Sequence, residues 1–143
     1  MAGDDIEPLT VIVTSSEWWG YDSSLDVDDP AFVIEVGGER AGWLGFYEEE
    51  EPDYRHASVD IVLAPAFCDR GLGPEALKAA IGWLASERGH RRFTIDPAAH
   101  NARAIAAYEK VGFRPVGVMR KYERGPDGTW HDNLLMDLLP EEL

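Results

Sequence analysis

The most constraining feature of this chain is a strand, a loop, a helix and a second strand in direct succession near its middle. ASVDIVLAP (57–65) is rich in β-branched residues and stops at a proline, as strands do. A helix is predicted from Pro74 to about Arg88, and Gly89 ends it. Its apolar positions recur at helical spacing: Leu77, Ala80, Ile81 and Leu84. Because RRFTID (91–96) is a short second strand, the order predicts one β-α-β unit.

The flanking segments predict antiparallel strands. AFVIEV (31–36), Gly37-Gly38 and the run 40–49 indicate a β-hairpin, and PLTVIVTS (8–15) could form a further strand. We predict the tract 48–54, EEEEPDY, as a loop. Two more strands, FRPVGVMRKYER and TWHDNLLMDLL, surround a glycine- and proline-rich turn.

The expected architecture is a single α+β domain over residues 1–143. Its sheet is mixed and mostly antiparallel, with helices flanking one central parallel strand pair. With 13 Lys and Arg against 27 Asp and Glu, the formal net charge is −14. Such a surface repels nucleic acid and anionic membranes and attracts cationic ligands, although many acidic proteins are simply well solvated.

The expected location is the cytoplasm. The sequence has no apolar run of about 18 residues and no signal peptide at its start. Cys68 is the single cysteine, so no intrachain disulfide can form. The four histidines lack metal-ligand spacing, and no G-x-S-x-G motif supports a serine hydrolase. No metal site is therefore expected.

The loop CDRGLG (68–73) is a candidate phosphate-binding loop. Glycines at 71 and 73 let the backbone approach a ligand, the helix start favours an anion, and Arg70 adds a charge. The alternative is a loop that only makes a turn. A dinucleotide fingerprint, G-x-G-x-x-A with Asp96 downstream, also matches. Against it, six residues separate the strand from the first glycine, and antiparallel strands follow where further β-α units are needed.

The segment NARAIAAYEKVGF (101–113) carries the most specific pattern. Together with CDRGLG it resembles the GNAT N-acetyltransferases, which use acetyl-CoA, over roughly residues 31–139. The loop follows their Q/R-x-x-G-x-G/A pattern except at its first position, where Cys68 stands in place of Gln or Arg. The later helix matches at five positions: Asn101, Ala104, Tyr108, Gly112 and Phe113. Asn101 is expected to cap this helix, and Gly112-Phe113 is expected to end it with a left-handed turn and an apolar contact. Relative to that family the N-terminal part, residues 1–30, looks shortened.

The resemblance implies that acetyl-CoA lies between the strands ending at Leu63 and Asp96, which should splay apart. It implies that Tyr108 protonates the leaving thiolate, and the alternative is a core aromatic side chain. The expected cofactor-binding residues are Val62, Leu63, Arg70, Gly71, Leu72, Gly73, Asn101 and Tyr108.

Within the family, the segment around Asp96 looks most like the aminoglycoside 6'-N-acetyltransferases. That likeness implies a catalytic, acceptor-binding role for Asp96 and an acceptor-binding role for Asp60; a simple Asp-Pro loop is the alternative for Asp96. Trp18 and Trp19 are further candidates for acceptor binding. The expected partner is a small amine, and the expected state a monomer or homodimer. Two alternatives stay open, namely a ribosomal-protein-type N-terminal acetyltransferase and a CoA-binding module without catalysis.

Overall fold

A computed structural model describes residues 9–14, 31–68 and 71–143. The strands are β1 (Leu9–Thr14), β2 (Ala31–Val36), β3 (Glu39–Glu49), β4 (His56–Leu63), β5 (Phe93–Ile95), β6 (Arg114–Arg124) and β7 (Trp130–Leu138). The helices are α1 (Leu72–Arg88) and α2 (Ala102–Val111), with 3₁₀ turns at Pro65–Phe67 and Pro140–Glu142. The sheet order is β1-β2-β3-β4-β5-β7-β6, and of these seven described strands only β4 and β5 pair in parallel. The predicted α+β architecture is confirmed.

The β2–β3 hairpin forms because two consecutive glycines supply the turn. Gly37 and Gly38 have φ values of 58° and 83°, which suit a tight hairpin turn that other residues adopt at a cost. The predicted loop at 48–54 is wrong at its start, because Glu48 and Glu49 belong to β3 and pair with β4. Glu48 is held there by His90, whose Nε2 lies 3.1 Å from its Oε1.

The core lies between α1 and one face of the sheet. The four predicted apolar positions of α1 are fully buried, together with Leu44 of β3 and Phe93 of β5. Helix α1 begins at Leu72, two residues before the predicted start at Pro74, because Gly71 turns the chain with a φ of 73°. Strand β4 ends at Leu63 rather than at residue 65, because Pro65 opens a 3₁₀ turn.

Helix α2 has the caps that its sequence predicts. The Asn101 side chain accepts a hydrogen bond from the Ala104 N–H at 3.1 Å, which satisfies one of the unpaired donors of the first turn. At the other end Gly112 has a φ of 125°, and the Phe113 N–H donates to the Tyr108 carbonyl at 3.1 Å. Phe113 is buried, so the helix ends with a glycine and an apolar contact.

Neither helix of the described ranges is long and apolar enough to cross a membrane. In the same ranges no group of three or more His, Cys, Asp or Glu side chains could hold a metal ion.

Candidate active site

A cleft opens between β4 and β5. The two strands pair only at Ala57 with Phe93 and at Ser58 with Thr94, where the two hydroxyls lie 2.8 Å apart. Strand β5 ends one residue later, and the chain then turns onto β7: the Leu134 N–H donates to the Pro97 carbonyl at 2.8 Å. Among the described strands, the C-terminal half of β4 therefore has a partner on its β3 side only.

The backbone alternation of β4 decides which peptide groups face this cleft. The Ala57 N–H donates to the β5 side, at the Arg92 carbonyl, whereas the Ala64 N–H donates to Ala41 on the β3 side. Because direction alternates along a strand, Ile61 and Leu63 face the cleft and Val62 faces β3. The Ile61 N–H is taken by the Asp60 carboxylate at 2.9 Å. Of these two predicted cofactor-binding residues, Leu63 therefore directs its N–H into the cleft, whereas Val62 directs its N–H toward β3.

The start of α1 lies beside the end of β4. An ideal Cβ on Gly73 would meet only Leu63 Cδ1, at 3.8 Å, and one on Gly71 would meet nothing within 4 Å. The first N–H groups of a helix have no partner within it, so those of Leu72 and Gly73 are available to an anion. Cys68 is exposed, and its thiol lies 3.6 Å from the Ala64 carbonyl oxygen.

Replacing Gly73 by alanine should separate folding from donor binding. The added Cβ has room, and alanine is the better helix former, so we expect the free energy of unfolding to hold or to rise by up to about 1 kcal/mol. Its methyl group would occupy the space that a close backbone approach to pyrophosphate requires. We expect calorimetry to show CoA affinity about tenfold weaker.

Gly82→Ala in the same helix is the matched control, because its added Cβ would also meet nothing within 4 Å. It should stabilise α1 without changing CoA affinity. Equal CoA affinity in the two variants would contradict a role for Gly73 in binding the pyrophosphate.

Tyr108 lies half-buried on α2, with its ring against Phe113 at a centroid distance of 6.3 Å. Burial, and then the negative charges of Asp60 and Asp96, raise its pKa to about 12. The phenol therefore stays protonated at every pH at which the protein would work. The charges of both predicted carboxylates therefore act on the Tyr108 hydroxyl.

The two carboxylates have raised pKa values for the same leading reason. Desolvation by neighbouring protein atoms raises the pKa of Asp60 above 3.8, although the residue as a whole is exposed; the charges of Asp96 and Glu123 add to the effect. Desolvation also raises the pKa of Asp96, while a hydrogen bond from the Tyr122 hydroxyl lowers it. A carboxylate with a raised pKa is a better proton acceptor from an amine.

Three residues that interact with Asp96 were not predicted from the sequence: Tyr122, Glu123 and Asn133. Tyr122 and Glu123 come from β6, and the buried Asn133 comes from β7. Residues 114–124 had only a strand pattern, and β6 is exposed over nearly its whole length. A buried asparagine within an apolar strand was the one available signal. Arg70, Trp18 and Trp19 lie outside the described residues.

Neutralising Asp60 should stabilise the protein. A carboxyl whose pKa is raised by folding destabilises the native state above the folded pKa, and this penalty disappears below its ordinary value of 3.8. Because solvent reaches the group, we expect Asp60→Asn to gain less than about 1 kcal/mol at pH 7, or up to about 3 °C in Tm. Thermal unfolding at pH 7 and near pH 3.5 checks this: the gain should vanish at the lower pH. A variant that loses stability at pH 7 would contradict the assigned cause.

Comparison with solved structures identifies the class of fold. A variant of the spermidine N-acetyltransferase of Vibrio cholerae superposes with a TM-score of 0.77 over 93% of this chain and 94% of that one, at 19% identity. The RimJ protein of Mycobacterium smegmatis, solved in complex with CoA-disulfide, has a TM-score of 0.73 and 28% identity over 79% of this chain and 54% of its own. The fold is that of the N-acetyltransferases.

The sequence assigns the family. The model of the acetyltransferase (GNAT) family matches residues 5–113, so the chain belongs to the GNAT family, which uses acetyl-CoA. The spermidine N(1)-acetyltransferase of Escherichia coli is 29% identical over 112 residues, which are 78% of this chain and 59% of the relative. The ribosomal protein bS18 alanine N-acetyltransferase of Salmonella typhimurium is 35% identical over 81 residues, 57% of this chain and 53% of the relative. The chain thus spans less than two thirds of these relatives' length.

Proposed function

We propose that this protein transfers the acetyl group of acetyl-CoA to a primary amine of a small polycationic acceptor. One observation carries the proposal: the Tyr108 hydroxyl stays protonated because of burial and the charges of Asp60 and Asp96. Asp60 lies on β4 and Asp96 directly follows β5, the two strands that part to form the cleft. The start of α1 borders the cleft, and its glycines at 71 and 73 leave space in which the pyrophosphate of CoA would bind. Leu63, Gly71, Leu72, Gly73 and Asn101 would hold the donor.

Acetyl-CoA supplies a thioester whose carbonyl carbon the amine attacks and whose sulfur leaves. The Leu63 N–H would donate a hydrogen bond to the developing oxyanion. An alkyl ammonium group with a pKa near 10 must first lose a proton, and Asp96, with Asp60 beside it, is the candidate acceptor.

The pKa of Tyr108 defines its part in this chemistry. A pKa of about 12 lies roughly 3.5 units above that of an ordinary thiol, so complete proton transfer to the sulfur would be uphill by about 5 kcal/mol. We therefore assign Tyr108 the role of a hydrogen-bond donor to the developing thiolate. Its proton moves fully only if another group reprotonates the phenolate.

The acceptor should carry several positive charges. After desolvation, the charges of Asp96 and Glu123 raise the pKa of Asp60, and the charge of Glu123 raises the pKa of Asp96; a bound ammonium group would relieve that repulsion. The net charge of −14 draws cations toward the protein as well. Similar relatives named for spermidine support a linear polyamine. The sequence pattern at Asp96 supports an aminoglycoside, in which case the protein would act in antibiotic resistance.

Thiol release from acetyl-CoA tests the proposal. The assay compares spermidine, kanamycin and a peptide with an N-terminal alanine, the last because one relative is named for a ribosomal protein. We expect at least tenfold faster release with one of the two polycations than with the peptide. A faster peptide reaction would support the N-terminal acetyltransferase instead. No release with any acceptor, while calorimetry still shows CoA binding, would leave a CoA-binding module.

A further inference from the structure

Strand β6 bends out of register beside the candidate site. Met119 pairs with Asn133 and Glu123 pairs with His131, so four steps along β6 face two along β7. Lys121 lies in this bulge with a φ of 48°, the one positive value at a non-glycine in the described ranges, and its N–H donates to Asp132 Oδ1 at 2.8 Å. Such a backbone costs about 1 kcal/mol or more, and the hydrogen bond to Asp132 offsets part of that cost.

Asn133 ties this bulge to the Asp96 loop. Its side chain is 1% exposed, and Nδ2 donates both to the Asp96 carbonyl at 2.9 Å and to Glu123 Oε2 at 3.0 Å. Its backbone forms a bridge with Ala98. Among the described residues Oδ1 finds no partner, which is costly for a buried amide. An apolar residue would pack here without that cost, so the amide is explained by the two groups that it orients.

Glu123 is thereby held within electrostatic reach of Asp60 and Asp96. In the described part of the chain, no lysine or arginine forms an ion pair with any of the three carboxylates. Holding like charges together without a counter-ion is unfavourable, and a cationic ligand would remove the penalty.

We propose that Glu123, positioned by Asn133, binds a second ammonium group of the acceptor and so selects di- and polyamines over monoamines. The inference rests on the proposed acetyl transfer to amines and adds the residue that sets its specificity. Asp96 and Asp60 would serve the reacting amine, and Glu123 the charge farther along the acceptor. Asn133 acts through Glu123 and the Asp96 loop and touches no substrate.

Glu123→Gln tests the proposal with two acceptors of equal reach, a linear diamine and the monoamine that lacks its second nitrogen. The glutamine oxygen can still accept from Asn133 Nδ2, so the fold should be kept. We expect kcat/KM for the diamine to fall about 10- to 100-fold, mainly through KM, and that for the monoamine to change less than twofold. Glu87→Gln, an exposed carboxylate near the end of α1, is the control and should change neither.

Asn133→Leu completes a double-mutant cycle. If Asn133 acts through Glu123, the double variant should discriminate against the diamine no more than Glu123→Gln alone. A further loss of selectivity in the double variant, or an Asn133→Leu variant with unchanged selectivity, would mean that Asn133 does not act through Glu123. Unchanged selectivity in Glu123→Gln would overturn the proposal.

Binding separates this inference from the proposed function. If the unmodified protein acetylates monoamines and diamines equally well, the inference fails while amine acetyl transfer stands. If it acetylates no amine, calorimetric binding of spermidine in the presence of CoA decides. If spermidine binds more tightly to the unmodified protein than to Glu123→Gln, the acceptor subsite is supported. Equal binding of spermidine to the two proteins would contradict it.

Discussion

Tyr108→Phe is expected to lower kcat about 10- to 100-fold and to leave CoA affinity within about twofold. The phenyl ring keeps the contact with Phe113, so only the hydroxyl is lost. A hydrogen bond to a charged group is worth about 1.5–3 kcal/mol, which corresponds to this range of rates if the bond forms to the developing thiolate. Steady-state kinetics and calorimetry with CoA measure the two quantities.

Tyr54→Phe is the matched control, because Tyr54 is 73% exposed in a loop and should give unchanged kcat. Equal losses of kcat and of CoA affinity in Tyr108→Phe would make Tyr108 a packing residue. An unchanged kcat would mean that solvent serves the leaving sulfur. Because the pKa of Tyr108 is about 12, its ionisation should not limit activity below about pH 10.

Asp96→Asn is expected to reduce kcat/KM for a polycationic amine by about 100-fold or more, with KM for acetyl-CoA unchanged. The variant removes a proton acceptor and an anionic partner for the ammonium group while its size is kept. The backbone should stay in place, because Asn133 binds the carbonyl of residue 96 rather than its side chain.

Asp53→Asn removes one charge from an exposed loop and controls for the change in net charge. Its kinetics should match those of the unaltered protein. If Asp96→Asn instead raised KM for acetyl-CoA and left KM for the acceptor amine unchanged, Asp96 would belong to the part of the site that binds acetyl-CoA. If the two variants behaved alike, Asp96 would have no role beyond its Asp-Pro turn.

Local patterns in the sequence predicted most of the elements correctly. The apolar spacing of α1, the paired glycines of the β2–β3 turn and the caps of α2 each depend on residues within a few positions of one another. The errors fall at boundaries. At Pro65 and Gly71 a 3₁₀ turn and a left-handed residue change the local conformation; β3 continues through Glu49 into the predicted loop; and β5 covers only Phe93–Ile95 of the predicted strand 91–96.

The residues from β6 and β7 near Asp96 could not be predicted in the same way. Tyr122 and Glu123 reach Asp96 because β6 slips against β7, and Asn133 bonds to groups 37 and 10 residues away in sequence. A register shift depends on the pairing of two strands, so neither strand shows it alone.

The sequence by itself determined the β-α-β order, the glycine loop and the helix that carries Tyr108, because local propensities and short motifs specify each of them. The tertiary structure decided where β4 and β5 part, which peptide groups of β4 face the cleft and which carboxylates gather around Tyr108. Those features depend on distances between segments far apart in the chain, and only the folded sheet sets such distances.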